Sequence, residues 1–176
     1  MLTSNCKAIL AVDVQYQEES AVAAGVLFSQ WQSGESAGDR TKLIYNVAPY
    51  EPGFFYKREL PCILSLLQDI DSELETIVVD GYVSLGQQQQ AGLGAYLYDE
   101  MEQKVPVVGV AKSRFKDTPA SCEVLRGNSQ NPLLVTAAGI PLVQAKQNIA
   151  QMHGSNRIPT LLKRVDRLAR GIIEPR

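Results

Sequence analysis

Three strand-like segments within the first 47 residues constrain the fold more than any other feature of this chain. Apolar or alternating runs predict β-strands over residues 7–14, 20–28 and 41–47. The longer of the two connections, the polar segment 31–40, leaves no room for a crossover helix. Strands joined so closely pair antiparallel, because parallel neighbours need a connection of about a dozen residues or more. The chain is therefore predicted to begin with an antiparallel three-stranded meander.

The remainder of the chain alternates between helices and strands. Apolar side chains recur at helical spacing after Glu59, which opens the first predicted helix, and Pro61 is tolerated in its first turn. Further helices are predicted over 87–103, 142–152 and 159–173, and further strands over 75–80, 107–111 and 133–136. This order predicts an α/β protein with a mixed sheet, three antiparallel strands and then parallel strands, flanked by helices. Ribonuclease H has this order of elements, although other folds share it.

Length and composition narrow the class of protein. A chain of 176 residues with 45% hydrophobic and 20% charged residues is typical of a soluble domain, so we expect residues 1–176 to form a single one. Cys6, Cys62 and Cys122 are too far apart for a paired-cysteine zinc site and are typical of a reducing compartment. The sequence has no apolar run of membrane-spanning length and no secretory signal pattern, which predicts a cytoplasmic protein. Because the net charge is −2, any basic surface for nucleic acid must be local.

Three acidic residues lie where a reactive site could form. Asp13 interrupts an apolar strand, where a charge is costly unless it is paired or bound to a metal, although it could equally cap the following turn. Asp80 ends the strand 75–80, at the edge where ligands usually bind, and alone it could be a turn residue before Gly81. Glu59 opens a helix, a position that acids also favour for electrostatic reasons.

A fourth acid, Asp166, interrupts the apolar stripe of the last predicted helix. A partly buried acid needs a partner, which could be Arg126, Lys112 or a metal ion. Four acids from separate elements, if the fold brings them together, are what a magnesium-dependent nuclease requires, because Mg²⁺ prefers hard oxygen ligands. Such an ion can activate the attacking water and stabilise the leaving oxygen.

Several blocks of the sequence, in the same order, resemble the endonuclease V family. Residues 46–61 (NVAPYEPGFFYKRELP) resemble its P-Y-I-P-G-F-x-x-x-R-E-x-P block nearly position for position. AVDVQY around Asp13, IVVDGY around Asp80 and VGVAKS at 108–113 resemble further blocks. CEVLR at 122–126 and RIPTLLKRVDRLAR at 157–170 resemble the later ones. The similarity spans nearly the whole chain, which is identified as a short, divergent member of this family.

The resemblance implies a role for each acid. Asp13 and Asp80 resemble the carboxylates that bind the metal directly, and Glu59 resembles the acid that completes the metal site or holds a metal-bound water. Lys112 resembles the lysine beside the scissile phosphate, although without the resemblance a surface lysine is the simpler interpretation. Asp166 aligns with the last polar residue of the site. The expected cofactor is Mg²⁺, for which Mn²⁺ can substitute.

The resemblance also implies a substrate. Tyr50 and Pro52 resemble the wedge that enters the duplex beside a lesion, although Tyr50 could simply pack against neighbouring prolines. Gly53, Tyr82 and Ser113 complete the predicted substrate-binding set. The family cuts the second phosphodiester bond 3′ to a deaminated base, hypoxanthine above all, and leaves 5′-phosphate and 3′-hydroxyl ends. The expected partner is therefore DNA or RNA with deaminated or irregular bases.

Departures from the family pattern concern the lesion pocket. The family's D-G-H-G and a second histidine are replaced here, beginning with Tyr82 and Val83, and Glu51 stands in the wedge where an apolar residue is usual. We therefore expect recognition by stacking and shape, with weaker discrimination for hypoxanthine. Two alternatives are a non-catalytic nucleic-acid-binding relative and a protein that shares only the fold. Retention of Asp13, Glu59, Asp80 and Lys112 favours the nuclease.

Overall fold

A computed structural model describes residues 6–172 as nine strands, four helices and one short 3₁₀ turn at Ala120–Cys122. The strands are β1 (Ala8–Tyr16), β2 (Ser20–Phe28), β3 (Gly38–Tyr45), β4 (Leu74–Asp80), β5 (Ser84–Leu85), β6 (Gln90–Ala91), β7 (Val107–Ala111), β8 (Glu123–Val124) and β9 (Leu133–Ala138). The helices are α1 (Phe55–Leu67), α2 (Leu93–Glu100), α3 (Leu142–Ala150) and α4 (Thr160–Ala169).

Seven strands form one mixed sheet in the order β3-β2-β1-β4-β7-β9-β8, and β5 and β6 pair separately. β1, β2 and β3 form the predicted antiparallel meander. β1 then pairs in parallel with β4, and β4 with β7. β9 runs antiparallel to β7, so the parallel part of the sheet is confined to its centre. The predicted α/β, ribonuclease-H-like mixed sheet is confirmed.

Helices cover both faces of the sheet. Along β1, Ile9 and Ala11 pack on the side of α3 and α4, whereas Leu10 and Val12 pack on the side of α1 and α2. Both sets are buried, which explains why β1 reads as a continuous apolar run rather than an alternating one. Asp13 is the exception in this run, and it directly follows the last residue of β1 that pairs with β4, where a site can open.

The first helix begins earlier than predicted. α1 starts at Phe55 rather than at Glu59, so Pro61 lies inside the helix and not in its first turn. The sequence does not predict the first turn of α1, because Phe55 is exposed and adds nothing to the apolar stripe that marks the buried face of the helix. Glu59 consequently projects from the body of the helix, and the proposed electrostatic preference for a helix N-terminus does not explain it.

The predicted helix 87–103 is also partly wrong. The glutamine run forms the turn between β5 and β6, and only Leu93–Glu100 is helical. Gln89, Glu102 and Gln103 have positive φ, which a continuous helix over 87–103 excludes. Glutamine has good helix propensity, but this segment has no apolar face to bury against the sheet.

Other boundaries shift by smaller amounts. β3 begins at Gly38, inside the predicted loop, and the short strand β8 was not predicted. α4 ends at Ala169, and Ile173 of the predicted helix lies outside the described residues. Within residues 6–172, none of the helices combines the length and the apolar character needed to cross a membrane.

Candidate active site at the carboxyl ends of β1 and β4

Asp13 and Asp80 lie side by side where the parallel pairing of β1 and β4 ends. Val12 of β1 is opposite Val79 of β4, so the next position on each strand is one of the acids. Alternation along the strands puts both on the face that α4 covers. Both line one small cavity of about 20 Å³, which has room for about one water molecule or ion. The structure thus brings together two of the predicted metal ligands.

The Asp13 carboxylate is only 4% exposed and is weakly compensated. It accepts hydrogen bonds from the backbone N–H of Val14 at 2.9 Å and from Gln15 Nε2 at 3.5 Å. Burial and, next, the negative charge of Asp80 raise the pKa of Asp13 to about 6. Among residues 6–172 no basic side chain lies within 4 Å of it. A cation bound here would relieve this cost.

Glu59 approaches the same strand ends from α1, on the opposite face of the sheet. Burial and the charges of Asp13 and Asp80 raise its pKa to about 8. Glu59 and Asp80 both line a second, larger cavity, so Asp80 faces both spaces. The three acids predicted to hold the metal therefore act on one another electrostatically across the edge of the sheet.

Lys112 supplies a positive charge on the α4 side. It follows β7, and its Nζ lies 3.1 Å from Asp80 Oδ2 and 3.8 Å from Asp166 Oδ1. The two carboxylate oxygens of Asp166 also share the single N–H of Arg170 Nε, which lies 3.1 Å from each. Of the two basic partners considered for Asp166 from the sequence, Lys112 is the one found and Arg126 is not.

Two arginines hold the backbone of loops around the site, a role that the sequence did not predict for either of them. Arg157 donates hydrogen bonds to the carbonyl oxygens of Lys112 at 2.5 Å, Pro132 at 3.0 Å and Asn131 at 2.8 Å. Arg157 therefore fixes the backbone from which the lysine extends. No local sequence pattern indicates these contacts, since the acceptors are backbone groups distant in sequence.

Arg126 is buried in the same way. Its guanidinium donates to four carbonyl oxygens between α3 and α4, those of Met152, Gly154, Asn156 and Arg157. Burial lowers its pKa. The hydrogen bonds compensate this desolvation and set the path of the loop that leads into α4, the helix carrying Asp166.

The larger cavity has a volume of about 470 Å³ and lies beside the acids. It is lined by Gly53, Phe55, Tyr56, Glu59, Asp80, Gly81, Tyr82, Leu85, Gln90, Ala91, Gly92, Leu93 and Phe115. The Tyr82 hydroxyl donates to the Ser113 carbonyl at 2.7 Å and accepts from the Phe115 N–H at 2.9 Å. Of the predicted substrate-binding residues, Gly53 and Tyr82 line this cavity, whereas Ser113 contributes its carbonyl to the wall behind it.

Gly109 explains the close packing under this cavity. A Cβ at this position would lie 2.6 Å from the Gly81 carbonyl oxygen and 2.8 Å from the Val83 nitrogen. The loop after β4 therefore crosses directly over β7, where the Val83 N–H donates to Thr136 Oγ1 at 2.8 Å. A glycine is required here for the loop to bring Tyr82 beside the acids.

The predicted wedge lies on the exposed loop before α1. Tyr50 and Pro52 are exposed, and Tyr50 packs edge-on against Phe55 at 5.4 Å between ring centroids. Gly53 has a φ of 82°, which permits the turn into α1. Glu51 pairs with Lys57 at 3.2 Å, so its charge is partly compensated within the loop.

The oxygen donors of this site fit a hard divalent cation. Mg²⁺ retains several waters, so two protein carboxylates completed by waters are sufficient. Residues 6–172 contain no group of three or more acidic, histidine or cysteine side chains that could hold a metal ion by themselves. Glu59 is thus separate from the Asp13–Asp80 pair, which fits a contact through water.

The fold and the site define a ribonuclease-H-like protein with acids at the ends of adjacent central strands, an arrangement suited to metal-assisted hydrolysis. The family model for Endonuclease V matches residues 2–161. The chain therefore belongs to the Endonuclease V family, whose members are nucleases that depend on a divalent metal.

Individual relatives agree with this assignment. Endonuclease V of Pyrococcus horikoshii is 30% identical over 168 residues, which are 94% of this chain and 74% of the relative. Endonuclease V of Thermococcus kodakarensis is 27% identical over 169 residues, covering 96% and 80% of the two chains.

Solved structures share the fold. Human ENDOV superposes with a TM-score of 0.76 at 21% identity, covering 96% of this chain and 84% of that one. Ciona intestinalis Endonuclease V, in complex with DNA containing an inosine followed by a ribo-adenosine, superposes with a TM-score of 0.78 at 20% identity, covering 96% and 87%.

Proposed function

We propose that this protein is a metal-dependent endonuclease that hydrolyses a phosphodiester bond 3′ to a deaminated base, hypoxanthine or inosine above all, in DNA or RNA. The products are a 5′-phosphate and a 3′-hydroxyl. The observation that carries the proposal is the convergence of buried Asp13 with Asp80 on one face, beside Lys112. The inosine-containing DNA bound by the Ciona relative supports the choice of lesion.

Asp13 and Asp80 would hold the cation directly, and Glu59 would contact its water shell. The ion is Mg²⁺ in this proposal, with Mn²⁺ as a substitute. When bound, it supplies a Lewis acid that activates the attacking water and neutralises charge on the leaving oxygen. Because Asp13 is buried, its interaction with a bound cation would be stronger than the same interaction in bulk water.

Lys112 would place its ammonium against a non-bridging oxygen of the scissile phosphate, where negative charge develops. Asp166 positions that ammonium, 3.8 Å away, and Arg157 fixes the backbone of the lysine. Asp166 is thus a positioning residue in this proposal. Its pairing with Arg170 keeps it oriented toward the cavity edge.

The 470 Å³ cavity beside the acids would accept the deaminated base. Tyr82 and Phe115 form an edge-to-face pair at its rim, with ring centroids 6.3 Å apart. Aromatic faces stack on any base, whereas edge-reading needs donors placed against it. Gly53 lines this cavity, Tyr50 and Pro52 would act from the exposed loop before α1, and the Ser113 carbonyl holds the Tyr82 hydroxyl. We infer weaker discrimination for hypoxanthine than a hydrogen-bonding pocket gives.

The decisive experiment measures cleavage of hypoxanthine-containing and matched undamaged DNA and RNA oligonucleotides with Mg²⁺, Mn²⁺ or EDTA. Cleavage should require a metal and should disappear in Asp13→Ala and Asp80→Asn. Asp71→Asn, an exposed acid away from the site, is the matched control and should cleave normally. Unchanged cleavage in either site variant contradicts the assigned site.

A non-catalytic nucleic-acid-binding role is the alternative, and binding without cleavage under every metal condition would establish it. The carboxylates of Asp13 and Glu59, whose pKa values are raised, favour catalysis. A surface that only bound phosphates would gain nothing from negatively charged side chains. We also propose that residues 1–176 form one domain of this nuclease and that it acts in the cytoplasm.

A further inference from the structure

Arg58 is an uncommitted cation next to the site. It directly precedes Glu59 on α1, and its guanidinium carbon lies 3.8 Å from the centroid of the Tyr16 ring. Its Nε is buried and makes no hydrogen bond. Among the residues that the structure describes, no carboxylate lies within 4 Å of its guanidinium.

Other cations around the site are engaged within the protein. Lys57, one residue earlier on α1, pairs with Glu51. Arg126 and Arg157 donate to backbone carbonyls. Among residues 6–172, the side chain of Arg58 has no hydrogen bond or ion pair, and its contact with the aromatic face of Tyr16 orients the planar cation without occupying its N–H groups. A half-buried guanidinium held in this way is ready to form a bidentate interaction with a phosphate.

The position of Arg58 identifies which anion it meets. Tyr16 ends β1, and the charges of Glu59 and Asp13 act on it, so the stacked pair borders the acids. Lys112 contacts Asp80 from the face covered by α4, whereas Arg58 comes from α1 on the other face. A nucleic-acid strand across the carboxyl ends of β1 and β4 would pass both cations.

We propose that Arg58 binds a phosphate next to the scissile one and that Tyr16 is its aromatic support. The inference rests on the proposed nuclease function and adds a second phosphate contact to it. Such a contact carries no information about the base, so it should act equally on damaged and undamaged strands.

The test is equilibrium binding in EDTA, where no cleavage occurs, of labelled duplexes with and without hypoxanthine between 50 and 200 mM salt. Arg58→Met keeps most of the packing on Tyr16 but removes the charge. The slope of log affinity against log salt should become shallower by about 0.9 for both duplexes. The ratio of wild-type affinity to variant affinity should accordingly fall about 3.5-fold between 50 and 200 mM salt.

Arg40→Met is the matched control, because Arg40 is exposed on β3 and its side chain donates a hydrogen bond to the neighbouring Asp39 carbonyl, away from the site. Its slope should equal that of the wild type. Tyr16→Leu retains the charge, so it should weaken binding at an unchanged slope. Thermal unfolding of each variant shows whether it is folded.

A wild-type slope in folded Arg58→Met overturns the inference and leaves Arg58 as a packing residue. If Arg58→Met does not fold, Tyr16→Leu decides, and unchanged affinity in that variant overturns the proposal. If the proposed function is wrong, the result is different, because the wild type would then not cleave any strand. A wild type that cleaves while Arg58→Met keeps the full slope refutes only the phosphate contact.

Discussion

Lys112→Ala distinguishes a catalytic lysine from a structural one, because the two roles predict different free-energy losses. Lys112 Nζ lies 3.1 Å from Asp80 and 3.8 Å from Asp166, and the lysine side chain is 37% exposed. Ion pairs as exposed as these contribute about 0–1 kcal/mol each. The variant should therefore lose roughly 1 kcal/mol of unfolding free energy in EDTA.

The expected effect on cleavage is much larger. A preorganised donor at developing negative charge accounts for about 10²–10³ in rate, or about 2.7–4 kcal/mol. We expect Lys112→Ala to lose turnover by that factor in single-turnover cleavage and to bind substrate only modestly more weakly, because the charge acts mainly on the transition state.

Lys42→Ala is the matched control for Lys112→Ala. Lys42 pairs with Asp69 at the same distance of 3.1 Å and also donates to the Ser65 carbonyl, away from the site. It should show a similar loss in urea unfolding and unchanged cleavage. The catalytic interpretation is refuted if Lys112→Ala loses stability and activity by equal free energies, or if it cleaves at the control rate.

Three further predictions address stability and binding. Arg126→Met leaves four loop carbonyls without their donor and should lower the unfolding free energy by roughly 2–4 kcal/mol, and a loss below about 1 kcal/mol in urea contradicts this. Burial alone would raise the pKa of Asp39, but hydrogen bonds from Arg164 favour its ionised form, and the pKa is lowered overall. The stability that the ionised Asp39 adds is therefore fully present above the ordinary pKa of an aspartate, and it is lost as the pH falls through the lowered pKa. The stability gap between wild type and Asp39→Asn should therefore narrow from pH 6 to pH 3, and a constant gap refutes it. Glu51→Ile removes a negative charge and releases Lys57, so oligonucleotide binding should tighten, most at low salt, and weaker binding contradicts the assignment.

Much of the fold was predictable from buried apolar runs. The bounds of β2 and β7 agree with the prediction because both strands are buried almost throughout, and burial is what an apolar pattern records. The shared face of Asp13 and Asp80 also follows from sequence, once adjacent parallel strands are assumed. By contrast, Phe55 at the start of α1 is exposed, so the pattern there carried no signal.

The supports of the site were not predictable. Arg157 and Arg126 act through backbone carbonyls, which are present at every residue and leave no trace in the sequence. Tyr82 was expected to contact the base, yet its hydroxyl is bound by the 113–115 loop, a contact that depends on how closely β7 approaches. The basic partner of Asp166 was undecided for the same reason, since spacing gives no distance between separate elements.

The balance of charge explains why this edge of the sheet is a reactive site and not a structural one. Burial raises the pKa of both Asp13 and Glu59, and the negative charge of Asp13 raises the pKa of Glu59 further. The surrounding core must offset this cost. Lys112 compensates Asp80 and Asp166 but reaches neither Asp13 nor Glu59 within 4 Å. A purely structural cluster would gain from a second internal cation here, and Arg58, although it neighbours Glu59 in sequence, stacks on Tyr16 instead. The uncompensated negative charge of the acids is thus available to bind a metal cation from solution. The guanidinium of Arg58 is available to bind an anion, and a phosphodiester supplies one.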